Sequence, residues 1–322
     1  MSTHSRRLKA LICGVSGQDG AYLSKFLLSK GYDVTGTSRD SYSNPFNALK
    51  QLGVKDQIKL VSMSPTDFRS VLSVVSSISP DEVYNLSGQS SVGLSFMQPV
   101  ETLESIATGT LNILEVIRFL DRPVKFYNAG SGECFGDTRG LAANENTAFH
   151  PRSPYAVAKS TAYWQVCNYR ESYDLFACSG ILFNHESPLR PGRFVTKKII
   201  DAANRISKDR RLRLTLGNLD ISRDWGWAPE YVEAMWRMLQ QDTPDDFVIA
   251  TGEYYSLKEF VEYTFSLFDL NWENYVKVDA SLFRPSDITV GFGDNSKAKK
   301  ILDWQPSCSM HGVIDRIVAQ LK

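Results

Sequence analysis

From residue 10 onward the chain alternates short, wholly apolar or β-branched runs with longer stretches in which apolar residues recur every three or four positions. The runs at 10–13, 33–37, 58–61, 82–86 and 124–128 predict buried strands, and the stretches at 22–28, 68–78 and 100–119 predict helices with one apolar stripe. Strands joined through helices need crossovers, so the pattern predicts an α/β protein of the Rossmann type, built on a doubly wound parallel sheet. Beyond Tyr155 the regularity loosens. A long helix to about residue 173, a strand at 178–183, a helix near 196–207 and mixed shorter elements are expected, then a strand at 247–252 with Ser256 capping an amphipathic helix. The expected division is a nucleotide-binding domain over 1–184 and a smaller α/β substrate-binding domain over most of 185–322, the chain crossing between them more than once.

The first strand runs into a glycine-punctuated turn, Gly14-Val15-Ser16-Gly17-Gln18-Asp19-Gly20. Its spacing is GxxGxxG. Gly14 suits the tight turn, Gly17 the close approach of a pyrophosphate to the backbone, and Gly20 the packing of helix on strand, which marks a dinucleotide site. At the end of the second strand stands Ser38-Arg39, and an arginine there favours the 2′-phosphate of NADP; Asp40, next in line, reads the other way, toward a ribose hydroxyl. Further on, Tyr155 and Lys159 lie four apart behind Ser153-Pro154, a helix cap and first-turn pair, so both side chains share one helical face. The ammonium favours the phenolate, which makes Tyr155 a candidate base toward a substrate hydroxyl. Ser131, at the end of the fifth strand, is placed to bond the same oxygen.

Charge changes the picture mainly by exclusion. With 36 basic and 36 acidic residues and no long run of one sign, nothing points to nucleic acid or a membrane surface as partner. The start of the chain lacks a signal-peptide pattern and no apolar run is long enough to span a bilayer, so the expected location is the cytoplasm. The cysteines Cys13, Cys134, Cys167, Cys178 and Cys308 have no CxxC spacing, which predicts reduced thiols and no metal site. His185-Glu186 is not a metal pair, since adjacent side chains do not converge, and Ser131 lacks the G-x-S-x-G elbow of a hydrolase. Trp225, Trp227 and Trp236 read as packing residues.

Taken together with Leu86-Ser87-Gly88-Gln89-Ser90, Ser131-Gly132-Glu133, Phe183-Asn184-His185-Glu186-Ser187-Pro188, Arg223-Asp224-Trp225-Gly226 and Tyr231-Val232-Glu233-Ala234-Met235-Trp236, these segments resemble the GDP-mannose 4,6-dehydratases, a branch of the extended short-chain dehydrogenases/reductases. The resemblance implies a lyase that recycles NADP and acts on a GDP-linked sugar as a homodimer or homotetramer. Carried over by position, it makes Tyr155 the base for C4 oxidation and Lys159 its electrostatic partner and a ribose ligand, with Ser131 standing where the family has threonine. Glu133 becomes the group that removes the C5 proton and assists loss of the C6 hydroxyl. Leu86, Gln89, His185 and Arg190 fall at cofactor positions beside the Gly14–Gly20 turn and Arg39. Ser90, Asn184, Lys198, Gly217, Arg223 and Arg284 fall around the nucleotide sugar, where a guanidinium fork suits a diphosphate.

The chain departs from the family at four places: Asp40 where relatives carry a second arginine, Met63-Ser64 in place of a Gly-Asp pair, Gly132 in place of a serine, and Cys134-Phe135 in place of a bulkier aliphatic–aromatic pair. The last two bear on which sugar fits. Two other functions stay open on the sequence: a reductase or epimerase of the same superfamily, in which Glu133 is only structural, and a non-catalytic NADP-binding protein.

Overall fold

A computed structural model describes residues 6–321. Six strands, β1 (Lys9–Cys13), β2 (Asp33–Ser38), β3 (Lys59–Ser62), β4 (Glu82–Asn85), β5 (Lys125–Ala129) and β6 (Ala177–Leu182), join a seventh, Phe247–Ile249, in one sheet. From one edge the order is Phe247–Ile249, β6, β5, β4, β1, β2, β3, and every pair among β1 to β6 is parallel. The order reverses direction at β1, which leaves the crevice beyond the carboxyl ends of β1 and β4 as the topological switch point. This is the doubly wound parallel sheet that the alternation of strand and helix predicts.

The chain folds into two compact units. One holds the residues up to Ser131, Ser153–Ile181 and Val232–Phe247; the other holds Gly132–Arg152, Leu182–Tyr231 and the residues from Val248 on. In the first, Leu11 and Cys13 of β1, Val83 of β4 and Phe126 of β5 share a core with Val71 and Val75 of the helix Phe68–Ile78, Ile113 and Val116 of the helix Gly109–Leu120, and Val166 of the helix Pro154–Tyr173. Side chains alternate along a strand, so Ala10 and Ile12 belong to the sheet's other face, and both are fully buried too. On the first helix, Gln18–Ser29, Phe26 meets Trp236 edge-on at 5.6 Å, and the Trp236 indole donates to Tyr32 Oη at 3.1 Å.

The second unit is built from shorter pieces. Ser222–Arg223 pairs antiparallel with Tyr255–Ser256 and parallel with Val290–Gly291, Trp225–Trp227 runs parallel to Asn184–Glu186, and Leu214–Leu216 runs parallel to Val276–Val278. Ile199, Ile200 and Ile206 of the helix Val195–Lys208 pack with Trp225, Phe260, Phe265, Val313 and Ile317 into its core. Ser256 caps the helix Leu257–Ser266 through a capping box with Glu259, as expected.

Three boundaries differ from the sequence reading. The first helix starts at Gln18 rather than residue 22, because Gly20 lies inside it: a Cβ there would come within 2.6 Å of Val15 Cα. The expected helix 100–119 is instead Pro99–Leu103, a π turn over Glu104–Thr108, and Gly109–Leu120. The strand expected over 247–252 stops at Ile249, since the Thr251 and Gly252 N–H groups turn to the carboxylate of Asp224 and Gly252 adopts φ +86°. Among the described residues no helix is long and apolar enough to cross a membrane.

Candidate active site

The glycine turn sits at the carboxyl end of β1, where Gly14 and Val15 N–H both bond Thr37 O of β2 at 3.2 and 3.1 Å. Gly14 adopts φ +83°, and a Cβ on it would lie 2.8 Å from Leu86 O, so a side chain is excluded both by the backbone and by the end of β4. Gly17 is exposed and caps the first helix without a side-chain bond, the nearest atom to a Cβ there being Gly14 O at 3.6 Å. Ser16 is exposed beside it, and Gln18 Nε2 donates to Asp19 Oδ1 at 3.0 Å. A helix N-terminus beside bare glycine backbone is an anion cradle, which fits the pyrophosphate of a dinucleotide.

At the end of β2 the two rival residues separate. Asp40 turns into its own loop, accepting the Tyr42 and Ser43 N–H groups at 2.9 and 3.1 Å and the Ser43 hydroxyl, and the Ser43 bonds hold its carboxyl below the usual carboxylate range. Arg39 is 81% exposed, its Nη1 3.8 Å from Glu101 Oε1. After β4, Leu86 N bonds Cys13 O, while the Gln89 amide donates to Ser91 O and Thr102 Oγ1 and its N–H to Ser105 Oγ. Gln89 thus braces its loop. Ser90 is exposed next to it.

Ser131 is buried just past β5. Ser153 Oγ accepts the Ala156 N–H at 3.1 Å and Pro154 fills the first turn, so the helix Pro154–Tyr173 begins where the Ser-Pro pair predicts. Its first two turns present Tyr155, half-buried, and Lys159, whose Nζ donates to Ala129 O at 2.7 Å and lies 5.9 Å from the Tyr155 ring centre. Tyr155 packs against the buried cluster of Ile106, Ala158 and Ala162, which brings the π turn of Glu104–Thr108 to the phenol.

Glu133 lies on a 3₁₀ turn, Gly132–Phe135, in the second unit and lines an open pocket with Phe135, Phe183, Asn184, Arg223 and Phe292. Arg223 is buried. Its Nη1 donates to Ile288 O at 2.7 Å, its Nη2 bonds Asp287 Oδ1 at 3.1 Å, and its Nε lies 3.9 Å from Glu133 Oε1. Arg284 Nη1 reaches the same Asp287 oxygen at 3.7 Å, so one carboxylate draws two arginines together. Asp224 is fully buried; it accepts the Thr251 N–H and hydroxyl and the Gly252 N–H, and burial pushes its carboxyl up to about 6.

The remaining expected residues are engaged within the second unit. His185 Nδ1 donates to Phe183 O at 2.7 Å and its ring stacks on Tyr231 at 4.5 Å. Glu186 accepts the Thr196 hydroxyl and pairs with Arg190 at 3.1 Å, and Arg190 also lies over the Phe194 ring at 3.8 Å. Lys198 Nζ donates to Thr215 O at 2.7 Å, and a Cβ on Gly217 would lie 3.0 Å from Leu282 O. Trp225 and Trp227 are buried packing residues, as expected. Sequence reasoning missed Asp287 and Phe292, which no motif announces, and gave Phe183 no role although it stood in a quoted run. Among the described residues no His, Cys, Asp or Glu group has metal-binding arrangement, and the five cysteines are buried and form no disulfide.

Compared with known proteins, residues 11–317 match the family model for GDP-mannose 4,6 dehydratase. The chain belongs to that family. It is 48% identical to GDP-mannose 4,6 dehydratase 2 of Arabidopsis thaliana across 96% of this chain and 85% of that one. It is 42% identical to the Dictyostelium discoideum protein of the same name, across 98% and 96%, and 41% identical to the Homo sapiens one, across 96% and 90%. The fold is shared more widely within nucleotide-sugar enzymes. A dTDP-glucose 4,6-dehydratase from Streptomyces venezuelae, solved with NAD bound, superposes with a TM-score of 0.87 at 16% identity over 97% of this chain and 96% of its own. A Thermotoga maritima UDP-glucose 4-epimerase with UDP-glucose does so with 0.84 at 20% identity, over 98% and 100%. The family resemblance carried by the Asn-His-Glu-Ser-Pro and Arg-Asp-Trp-Gly runs is therefore upheld along nearly the whole dehydratase sequence.

Proposed function

We propose that this member of the family dehydrates GDP-mannose to GDP-4-keto-6-deoxy-mannose, with NADP recycled within each turnover. The observation that carries the reading is Glu133. A dehydrogenase needs only a base for the hydroxyl it oxidises, whereas elimination of water needs a second group facing C5 and C6, and Glu133 is a carboxylate in a largely apolar pocket beside the buried Arg223.

The first unit is assigned the cofactor. Gly14, Ser16, Gly17, Gln18, Asp19 and Gly20 would cradle its pyrophosphate, Leu86 and Gln89 would border it, and Lys159 would reach its ribose. Arg39 would hold the 2′-phosphate; with Asp40 occupied by its own loop, the balance at the end of β2 favours NADP over NAD. His185 and Arg190 are further cofactor residues by position. When bound, the nicotinamide would supply reversible hydride transfer to and from the sugar carbons.

Tyr155 takes the proton of the C4 hydroxyl, its phenolate favoured by the Lys159 ammonium, which Ala129 O holds in place. Ser131 bonds the same oxygen and keeps it aligned. Once C4 is a ketone the C5 proton becomes acidic, and Glu133 removes it; the carboxylic acid so formed protonates the C6 hydroxyl, which departs as water. Hydride return to C6 leaves C5 to be protonated, by Glu133 recharged with a proton from solvent, while Tyr155 releases the proton it took from the C4 hydroxyl to solvent; the net change is loss of one water. Arg223 and Arg284, joined at Asp287, would bind the diphosphate once a ligand competes for them, with Ser90, Asn184, Lys198 and Gly217 around the rest of the nucleotide sugar.

Purified protein incubated with GDP-mannose and NADP should give a product lighter by one water with no net change in NADPH absorbance. Net consumption of NADPH would instead support the reductase reading, and an isomeric product of unchanged mass the epimerase reading.

A further inference from the structure

We infer that Phe183 is the specificity-determining residue at the far end of the sugar, an end-stop that confines the reaction to hexoses whose C6 carries only its hydroxyl. The inference rests on the assignment of Glu133 to C5 and C6 made above. The family resemblance places a serine where this chain has Gly132, and a missing side chain next to Glu133 suggests a roomier pocket. The structure fills that room. A Cβ on Gly132 would lie 2.8 Å from Phe183 Cε1 and Cζ and 2.9 Å from its Cδ1, contacts that no real Cβ sustains. The ring is crowded at Cε2 as well, since a Cβ on Gly293 would lie 2.7 Å from Phe183 Cε2 and as close to Val248 Cγ1 and Ala250 Cβ. One face stacks on Phe135, centres 6.2 Å apart and planes 16° from parallel, and Phe135 is backed edge-on by Phe149 at 5.1 Å.

The ring therefore lies close against both Gly132, over its face, and Gly293, at Cε2, with little room to shift toward either to admit a larger ligand. It lines the same pocket as Glu133 and presses on the residue that precedes Glu133 in the chain. Glu133 must approach C5 and the C6 oxygen to within hydrogen-bond reach, about 2.6–3.2 Å, so the next wall beyond C6 is this ring. An aromatic ring suits a carbon that ends the reaction as a methyl group and offers no partner to a further hydroxymethyl group, whose burial without a hydrogen bond is costly. Gly132 and Phe183 thus act as a pair: the glycine lets the ring advance, and the ring closes the pocket.

The test compares wild type, Phe183→Leu, Gly132→Ala and the double variant on GDP-mannose and on a GDP-linked manno-configured sugar carrying one further carbon at C6, with thermal unfolding of each protein as a check on folding. Wild type should strongly prefer GDP-mannose. Phe183→Leu should raise the kcat/KM ratio for the extended sugar over GDP-mannose by roughly 10–200-fold, the range a single misfit carbon commands. Gly132→Ala should lose activity on GDP-mannose, and adding Phe183→Leu should restore much of it; a role in folding alone would lower both sugars together and leave their ratio fixed. An active wild type with no preference, or a ratio that Phe183→Leu leaves unchanged, overturns this inference alone. A wild type inert toward both sugars overturns the dehydratase reading and this inference with it.

Discussion

Arg39 and Asp40 stand side by side at the end of β2 and are put to different uses, one side chain projecting and the other closing its own turn. Replacing Arg39 by alanine should weaken NADP far more than NAD in calorimetric titration, because only NADP has a 2′-phosphate for a guanidinium to bind; equal weakening of the two would hand the discrimination to another residue. The single residues that carry proposed chemistry were legible because each stands in a short local run: Tyr155 and Lys159 one helical turn apart, Ser131 and Glu133 two residues apart. Phe183, Asp287 and Asp224 were not legible in the same way. Their significance lies in contacts with residues far along the chain, such as Phe183 with Gly132 and Gly293, and no spacing rule records those.

Among the elements, the helix Pro154–Tyr173 does the most to place the chemistry, and its start is fixed by one serine. Ser153→Ala removes the bond to the Ala156 N–H and should cost about 1 kcal/mol, seen as a fall of a few degrees in the thermal midpoint. Activity of the folded protein should drop only modestly; loss as complete as that expected of Tyr155→Phe would mean that Ser153 also meets the ligand. The start of that helix was predictable because Ser153-Pro154 is a local signal, a cap followed by a first-turn proline. The stretch before Leu120 was not. Its apolar periodicity continues through Glu104–Thr108, so the sequence reads as one helix, yet the backbone widens there into a π turn that sets Ile106 against Ala158, Ala162 and Tyr155. Only packing on the neighbouring helix reveals that turn. The short strands of the second unit escaped for a related reason: pieces such as Ser222–Arg223 are too brief to show an alternation.

At the scale of the whole molecule, the parallel sheet followed from the rhythm of strands and helices, but the points at which the chain passes between units did not. Residues 232–247 return to the first unit with no change in composition to mark the passage. Asp224 shows how such a fold responds to pH. Burial lifts its carboxyl to about 6, against ~3.9 for an unfolded chain, so the folded protein holds the proton more tightly. The stabilisation this provides is fully present below ~4 and is lost as pH rises through about 6. The thermal midpoint of wild type minus that of Asp224→Asn should accordingly fall as pH rises across that window. A value that stays flat or rises would mean that the carboxyl is not so shifted.

The account stands or falls on Glu133 as the elimination base, and exchange at C5 reads that step directly. In deuterium oxide, wild type acting on GDP-mannose should place deuterium at C5 of the product, and Glu133→Gln should suppress both exchange and water loss by about 10²–10⁴-fold, while still drawing hydride from C4 and accumulating reduced cofactor. If Glu133→Gln exchanges and dehydrates at the wild-type rate, the carboxylate is not the base and the mechanism proposed for this chain is wrong.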